Sequence, residues 1–336
     1  MGQGRGLQES LLGKFLANTS ATAPRTDISV FSQGVSINYQ HREVRELFRP
    51  AIRHLEMTGL TGSPELEIFC FVSDKPPLRW LREKGLSTRI NQTIHLSTFR
   101  YCYQGHSLFA FDAEAKRAFY WVEGQAAFNW YRARPFTRIL SWFAERRQLT
   151  WVHAACVGTE SGAILIPAAG GSGKSTAAAA GLLSGMLFIG DDFNLLDKER
   201  LEVASLYGNV VLSARSIGLL QGFERVNQLA PAFRDKKSKD CYQLFDHFHR
   251  QLKPQLHLKG ILVPEIVTGN SEIVPACDDD AMRAFVSSLQ IGRILGIDPK
   301  PMLADVYAVV KQVHVARLRI GRDLESVPHL ISDFLT

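Results

Sequence analysis

A glycine-rich segment in the second half of the chain has the composition of a loop that binds phosphate. Its residues are Gly170, Gly171, Ser172, Gly173, Lys174, Ser175 and Thr176. The apolar run 163–167 before it predicts a buried strand, and the alanine-rich run after it predicts a helix. Glycine allows backbone N–H groups to approach an anion closely, Lys174 can reach the β- and γ-phosphates, and the Ser175 hydroxyl can bind Mg²⁺. The segment therefore predicts binding of a nucleoside triphosphate.

The segment departs from the usual phosphate-loop pattern at one position. That pattern places a glycine five residues before Gly173, where this chain has Ala168. The glycines at 170 and 171 still provide a flexible backbone. The alternative is a Gly/Ser-rich turn that happens to contain a lysine. The strand before it, the helix after it and an acidic pair downstream favour the phosphate loop.

The acidic pair Asp191-Asp192 follows the apolar run 186–189. That run predicts a buried strand, which we expect to lie beside the strand before the glycine segment. One carboxylate could hold a metal ion while the other takes the proton of an attacking hydroxyl. The alternative is a helix N-cap followed by a solvated acid. Downstream of a phosphate loop, the functional interpretation is favoured.

Two further residues are candidates for the same site. His153 lies in an apolar run that predicts the first strand of the unit, and a lone histidine in such a strand usually belongs to the core. Arg215 follows a later predicted strand and could clamp a phosphate, or it could be an ordinary surface arginine. The residues alone leave both roles open.

The composition narrows the class of protein. The 336 residues suffice for one large domain or two ordinary ones, and no apolar run approaches the ~18 residues that span a bilayer. The N-terminus has no continuous apolar stretch of the kind found in secretory signals. The cysteines are dispersed, which is typical of reduced thiols rather than of disulfides or a zinc site: Cys70, Cys102, Cys156, Cys241 and Cys277. These features predict a cytoplasmic protein.

The charge distribution bears on the partners. The net charge is +6, and the densest basic patch, residues 234–239, is short and interrupted by an acid. A nucleic-acid-binding protein usually gathers its basic residues on a stripe or arm. We therefore expect no nucleic acid and no membrane among the partners. The expected partners are a nucleoside triphosphate and an acceptor, and the sequence leaves a homo-oligomer open.

Hydrophobic patterning divides the chain into three segments. Residues 1–26 are small and polar and predict a flexible leader. Residues 27–148 predict an α+β domain with a β-hairpin formed by 107–111 and 118–122. The many aromatic residues there favour core packing over a base-stacking platform. Residues 149–336 alternate strands and helices, which predicts an α/β domain.

The order and spacing of His153, the loop ending in Gly173-Lys174-Ser175, and Asp191-Asp192 resemble the catalytic domain of HPr kinase/phosphorylase. Gly185 and the Arg215 segment also occupy positions similar to glycine and arginine motifs of that family, and the resemblance covers roughly residues 150–265. It implies a phosphoenolpyruvate-carboxykinase-like P-loop nucleotide-binding domain, preceded by a smaller α+β N-terminal domain. It also implies phosphorylation of a serine hydroxyl.

The resemblance assigns roles residue by residue. Asp192 is the candidate base, Asp191 and Ser175 are candidate ligands of Mg²⁺, and His153 lies near the reacting phosphate. Lys174 contacts the phosphates of ATP. In related kinases a lysine from a mobile loop approaches the γ-phosphate, and residues 236 and 237 are the candidates here.

The sequence departs from the family in two places. The family has a glutamate two residues before the arginine, where this chain has Ser213, and its C-terminal segment linked to phosphorolysis has no match after Val274. The N-terminal half resembles HPr-kinase-related kinases from other gene contexts, including kinases of ribosomal peptides. We therefore expect a relative that does not act on HPr and lacks phosphorylase activity.

The sequence thus predicts an ATP- and Mg²⁺-dependent kinase that phosphorylates a hydroxyl, with a serine of a protein or peptide as the expected acceptor. A small-molecule kinase on the same fold is one alternative. A nucleotide-binding regulator that turns over slowly or not at all is another, which Ala168 and Ser213 favour and the intact acidic pair opposes.

Overall fold

The computed structural model describes residues 2–17, 19, 22–73, 77–124, 132–234, 239–288 and 299–336. These residues form a mixed α/β protein with several sheets. They divide into two compact units, one ending at Arg147 and the other beginning at Gln148. No helix in the described ranges combines the length and hydropathy needed to cross a bilayer.

The first unit contains a seven-stranded mixed sheet in the order β1-β2-β3-β7-β6-β5-β4. Its strands are β1 (Arg25–Val30), β2 (Gln33–Tyr39), β3 (Leu66–Ser73), β4 (Thr93–Leu96), β5 (Phe99–Gln104), β6 (Ser107–Asp112) and β7 (Arg117–Glu123). The predicted hairpin is present as β6 and β7, which pair antiparallel. Asp112 closes its turn, because its Oδ1 accepts hydrogen bonds from the N–H groups of Glu114 and Ala115, both at 3.1 Å.

The aromatic side chains of this sheet form a core, as predicted. Phe109 and Tyr120 face each other across the hairpin with ring centroids 4.9 Å apart, and both are buried. Phe71 stacks on Trp121 at 5.5 Å. Because these rings are enclosed by protein, they cannot serve as a platform for nucleic-acid bases.

The helices of the first unit correct one prediction. They are α1 (Gly2–Ala17), α2 (Arg42–Ile52), α3 (Pro77–Glu83) and α4 (Thr137–Arg146). The flexible leader predicted for residues 1–26 is wrong for α1, because Leu7, Leu11 and Phe15 recur every four residues and are buried on one helix face. The Phe15 ring packs on Phe69 with centroids 5.1 Å apart.

The second unit is built around a larger sheet in the order β10-β8-β11-β12-β16-β18-β17, with β9 paired to both β8 and β16. Its strands are β8 (Thr150–Thr159), β9 (Gly162–Pro167), β10 (Leu187–Gly190), β11 (Phe193–Asp197), β12 (Glu202–Ser205), β16 (Gln255–Ile266), β17 (Glu272–Pro275) and β18 (His314–Ile320). A separate three-stranded sheet contains β13 (Asn209–Leu212), β14 (Pro231–Arg234) and β15 (Asp240–Gln243).

Helices cover both faces of the larger sheet. The helices of this unit are α5 (Lys174–Leu183), α6 (Ala214–Leu219), α7 (Phe245–Phe248), α8 (Asp278–Ser288), α9 (Pro299–Val310) and α10 (Val327–Leu335). Successive residues of β9 point to opposite faces. Ile164 and Ile166 pack in the core that contains α5 and α10, whereas Ala163 and Leu165 pack in the core that contains α8 and α9. This explains why β9 is apolar throughout.

The central strands β9, β16 and β18 run parallel, with β16 between the other two. Their carboxyl ends therefore lie at one edge of the sheet, and the glycine segment leaves the sheet there. The expectation that β10 lies beside β9 is wrong. β8 separates them, because this ten-residue strand pairs with β9 along one edge and with β10 and then β11 along the other.

Candidate active site

The glycine segment forms a tight connection between β9 and α5. Gly171 and Gly173 have φ values of +89° and +95°, which a side chain would oppose. Gly173 is the N-cap of α5, and its carbonyl accepts the first helical hydrogen bond, from the N–H of Ala177 at 2.9 Å. The N–H groups of the first turn have no acceptor within the helix and are suited to an anion. Ala168 has no positive φ, so alanine is tolerated where the usual pattern has glycine.

The Lys174 side chain lies back along the loop. It is only 5% exposed, and its Nζ donates to the carbonyl oxygens of Ala168 and Ala169 at 2.8 and 3.1 Å. Burial lowers the pKa of Lys174 below its ordinary value, the Asp191 carboxylate opposes this shift, and the charge of Lys239 adds to it. The ammonium group therefore lies within the electrostatic influence of both side chains.

Asp191 is a buried carboxylate with one oxygen in use. It is 4% exposed, and its Oδ2 accepts a hydrogen bond from the Val211 N–H at 3.2 Å. Its Oδ1 is buried and has no hydrogen-bond partner among the described residues. A carboxylate oxygen in that position is costly unless a cation or donor satisfies it. The helix N-cap alternative is wrong, since the acidic pair leads into β11.

Asp192 faces His153, which lies on the adjacent strand β8. Gly190 pairs with Cys156 and Phe193 pairs with His153, so the acidic pair interrupts the ladder opposite residues 154–155 of β8. The Nε2 of His153 lies 3.3 Å from Oδ1 of Asp192, and both side chains are partly exposed. The histidine therefore faces the acidic pair rather than being enclosed in the core.

Asn194 stabilises the break in strand pairing beside this acidic pair. Its Nδ2 donates to the carbonyl of Ala154 at 2.8 Å. A Cβ at Gly190 would collide with the Asn194 amide, which explains the glycine before the acidic pair. The backbone that positions Asp191 and Asp192 is thus tied to β8 on both sides.

A chain of hydroxyl groups joins α5 to α6. Thr176 Oγ1 donates to Ser216 Oγ at 3.1 Å, and Ser213 Oγ accepts from the Ser216 N–H at 3.1 Å as the N-cap of α6. Ser213, at the position where HPr kinase/phosphorylase has a glutamate, is thus a helix cap in this chain. Arg215 lies exposed in the same short helix, directly before Ser216.

Lys239 is a candidate that the sequence did not indicate. Leu212 pairs with Asp240, so Lys239 precedes β15 at the end of the small sheet where Ser213 follows β13. Its charge contributes to the lowered pKa of Lys174, after burial of that side chain. The register of β13 and β15 accounts for this proximity, which no sequence motif indicates. Residues 236 and 237, which were the candidates from the sequence, lie outside the described residues.

The candidate Mg²⁺ ligands are few, as is usual for this ion. Among the described residues, no group of three or more His, Cys, Asp or Glu side chains could enclose a metal. Magnesium commonly takes one or two protein ligands and completes its shell with phosphate oxygens and water. The unsatisfied Oδ1 of Asp191 fits such a site, and Ser175, in the first turn of α5, is the second candidate.

Comparisons with known proteins give only a weak indication. No protein-family model matches the chain, and no curated protein matches it. Among 83 matching chains of solved structures is the Hpr(Ser) kinase/phosphatase from Coxiella burnetii, with 11% sequence identity and a TM-score of 0.30. That match covers 54% of this chain and 87% of the other. A similarity this low does not assign an activity to this chain.

Proposed function

We propose that this protein is an ATP- and Mg²⁺-dependent kinase that transfers the γ-phosphoryl group to a serine hydroxyl of a protein or peptide. We further propose that residues 149–336 form a P-loop kinase domain of the phosphoenolpyruvate-carboxykinase type. Residues 27–148 would form the domain that recognises the acceptor. The observation that carries the proposal is the position of the acidic pair across β8 from the end of β9, where the glycine loop begins.

The glycine loop would bind the triphosphate. Its backbone N–H groups and those of the first turn of α5 would hold phosphate oxygens, from Gly170 through Thr176. Lys174 would exchange the carbonyls of Ala168 and Ala169 for the β- and γ-phosphates. Its lowered pKa reflects an ammonium group deprived of water, which a phosphate anion can compensate.

Asp191 and Ser175 would hold Mg²⁺, which neutralises charge on the phosphate oxygens when bound. Asp191 supports this role because its Oδ2 is fixed by the Val211 N–H, while its Oδ1 has no partner in the described part of the chain. The carboxylate is therefore oriented before any ligand arrives. Preorganisation of this kind lowers the free-energy cost of binding.

Asp192 would act as the general base. The acceptor oxygen attacks the γ-phosphorus, the bond from the γ-phosphorus to the bridging oxygen breaks, and the hydroxyl proton moves to an Asp192 oxygen as ADP leaves. His153, 3.3 Å from Asp192, would orient that carboxylate and lie near the reacting phosphate. Lys239 and Arg215 would stabilise charge on the phosphoryl group.

One observation favours a second function, that of a regulator that binds nucleotide without phosphoryl transfer. Ser213 is used as the cap of α6, and in the described part of the chain no third acidic side chain joins Asp191 and Asp192 in a metal-binding group. Such a protein would change state on binding ATP and release it unaltered. Turnover decides between the two functions.

The test is transfer of label from γ-labelled ATP in the presence of Mg²⁺, offered separately to cell proteins and to a metabolite fraction. The proposal predicts labelled protein with the wild type and none with Asp192→Asn. Glu160→Gln, at an exposed site on the turn between β8 and β9, is the matched control and should label normally. Label in the metabolite fraction would indicate a small-molecule kinase, and nucleotide binding without any transfer would indicate the regulator.

A further inference from the structure

Ile266 is an apolar side chain in an unusual position. It ends the central parallel strand β16, yet 59% of its surface is exposed. Parallel strands normally lie buried on both faces, so Ile266 departs from the burial expected for its strand. Ile266 pairs with Ile320 at the end of β18, so two isoleucines lie together at this edge.

These isoleucines border the glycine loop. A Cβ at Gly173 would lie 3.0 Å from Cδ1 of Ile320 and 3.8 Å from Cγ1 of Ile266. An apolar surface therefore begins where the phosphate-binding backbone ends. Ligand sites of open α/β sheets occur at the carboxyl ends of strands, which is the edge that these residues occupy.

The order of the strands shows on which side of the glycine loop this apolar surface lies. The sheet runs β8-β9-β16-β18, and the glycine loop follows β9. His153, Asp191 and Asp192 lie on the β8 side of the loop, whereas Ile266 and Ile320 lie on the β16 side. A triphosphate with its γ-phosphate toward the acidic pair would therefore direct its nucleoside toward Ile266.

We propose that the nucleobase of the bound triphosphate packs on Ile266. This rests on the proposed nucleotide site and adds the part of that site that selects a nucleoside over a bare polyphosphate. Packing against a flat base would remove the exposed apolar surface of Ile266 from water.

The test compares two ligands, ATP and inorganic tripolyphosphate, both measured with Mg²⁺ by calorimetry. In the wild type, ATP should bind more tightly than tripolyphosphate. Ile266→Ala should weaken ATP about 10-fold and leave tripolyphosphate unchanged, and Ile266→Leu should restore most of the loss. Val286→Ala, at a 51% exposed position on α8, is the matched control and should change neither.

The outcomes separate this proposal from the proposed function. Equal weakening of both ligands by Ile266→Ala, or of neither, would overturn the nucleobase site. A wild type that binds tripolyphosphate as tightly as ATP would also overturn it while leaving the phosphate loop intact. A wild type that binds neither ligand would show that both proposals are wrong.

Discussion

The Nε2 atom of His153 lies 3.3 Å from Oδ1 of Asp192, although 38 positions separate the two residues in the sequence. His153 lies in β8 and Asp192 directly precedes β11; these two strands run antiparallel, and Phe193 pairs directly with His153. The contact therefore results from strand pairing. It brings His153, whose role the sequence left open, next to Asp192, the carboxylate proposed as the general base.

The first prediction concerns this pair. Asp192→Asn should lower kcat by about 10²- to 10⁴-fold, which is the usual contribution of a general base, while nucleotide affinity stays unchanged. His153→Ala should lower kcat less. If the two act as a unit, the double variant should be no slower than Asp192→Asn alone, as steady-state kinetics would show. Normal turnover by Asp192→Asn with its acceptor would exclude it as the base.

The second prediction concerns Lys174. Lys174→Met should weaken ATP binding about 10- to 100-fold, because charged hydrogen bonds to phosphate are worth about 1.5–3 kcal/mol each. The free energy of unfolding should stay within about 1 kcal/mol of the wild type, since the buried ammonium is itself costly and the loop is exposed. Calorimetry and urea unfolding measure the two quantities. A large loss of stability with unchanged binding would indicate a purely structural lysine.

The third prediction concerns Asp191. An asparagine can still accept the Val211 N–H, so Asp191→Asn should fold normally. It should lose the increase in ADP affinity that Mg²⁺ produces in the wild type, because the charged oxygen is gone. Titrations of ADP with and without Mg²⁺ measure this difference. A retained Mg²⁺ effect would contradict the role of Asp191 as a ligand.

The fourth prediction tests the first helix. Leu11 is completely buried, whereas Leu16 in the same helix is 61% exposed. Leu11→Ala should cost about 2–5 kcal/mol and Leu16→Ala less than about 0.5 kcal/mol. Hydrogen exchange of the β3 and β7 amides reports on this unit directly. Equal, small effects of the two substitutions would restore the expectation of a flexible leader.

The fifth prediction is a pH dependence. Burial lowers the pKa of His54 to about 3, compared with 6.5 for an exposed histidine. Above pH 6.5 the residue is neutral in both states and has no effect. Below pH 6.5 the unfolded state takes up a proton that the folded state refuses, so stability falls until about pH 3. Between pH 7.5 and 5 this loss is at most about 2 kcal/mol, because pH 5 lies about 1.5 units below the ordinary pKa and each unit is worth about 1.4 kcal/mol. The remaining solvent exposure of His54 makes the actual loss smaller than this limit.

Urea unfolding at pH 7.5 and 5 measures this dependence in the wild type and in His54→Gln. The variant should lose less stability on acidification, and the difference between the two proteins isolates the histidine from other titrating groups. The same acid sensitivity in both proteins would show that His54 is not responsible.

The sequence predicted the elements around the loop well, because short apolar runs bounded by glycine and proline give strong local signals. β9, α5 and β10 lie within a few residues of their predicted positions. It did not predict the four-residue strands β12, β14 and β15, whose polar and charged residues give no clear alternation. The partners of β10 also escaped prediction, because strand neighbours depend on pairings distant in sequence.

The candidate site residues also differ in how well the sequence alone identifies them. Lys174 and Asp191 could be selected from their motifs, since the chemistry of each motif requires those residue types. Lys239 has no motif, and only the pairing of Leu212 with Asp240 indicates its position. The helix cap formed by Ser213 was likewise not predicted from the sequence, because a serine before a short helix becomes informative only once the helix is known.

Helix α5 has four consecutive alanines, residues 177–180, and all four are fully buried. With only a methyl group on each, the helix axis can approach β8 and β9 more closely than larger side chains would permit. The first turn of that helix carries Lys174 and Ser175, so the thickness of this alanine layer sets how far both stand from the sheet. A single added methylene at one of these positions would push the helix away from the sheet and so displace Lys174 and Ser175. The substitution would then change the chemistry at the end of the helix rather than at its own position.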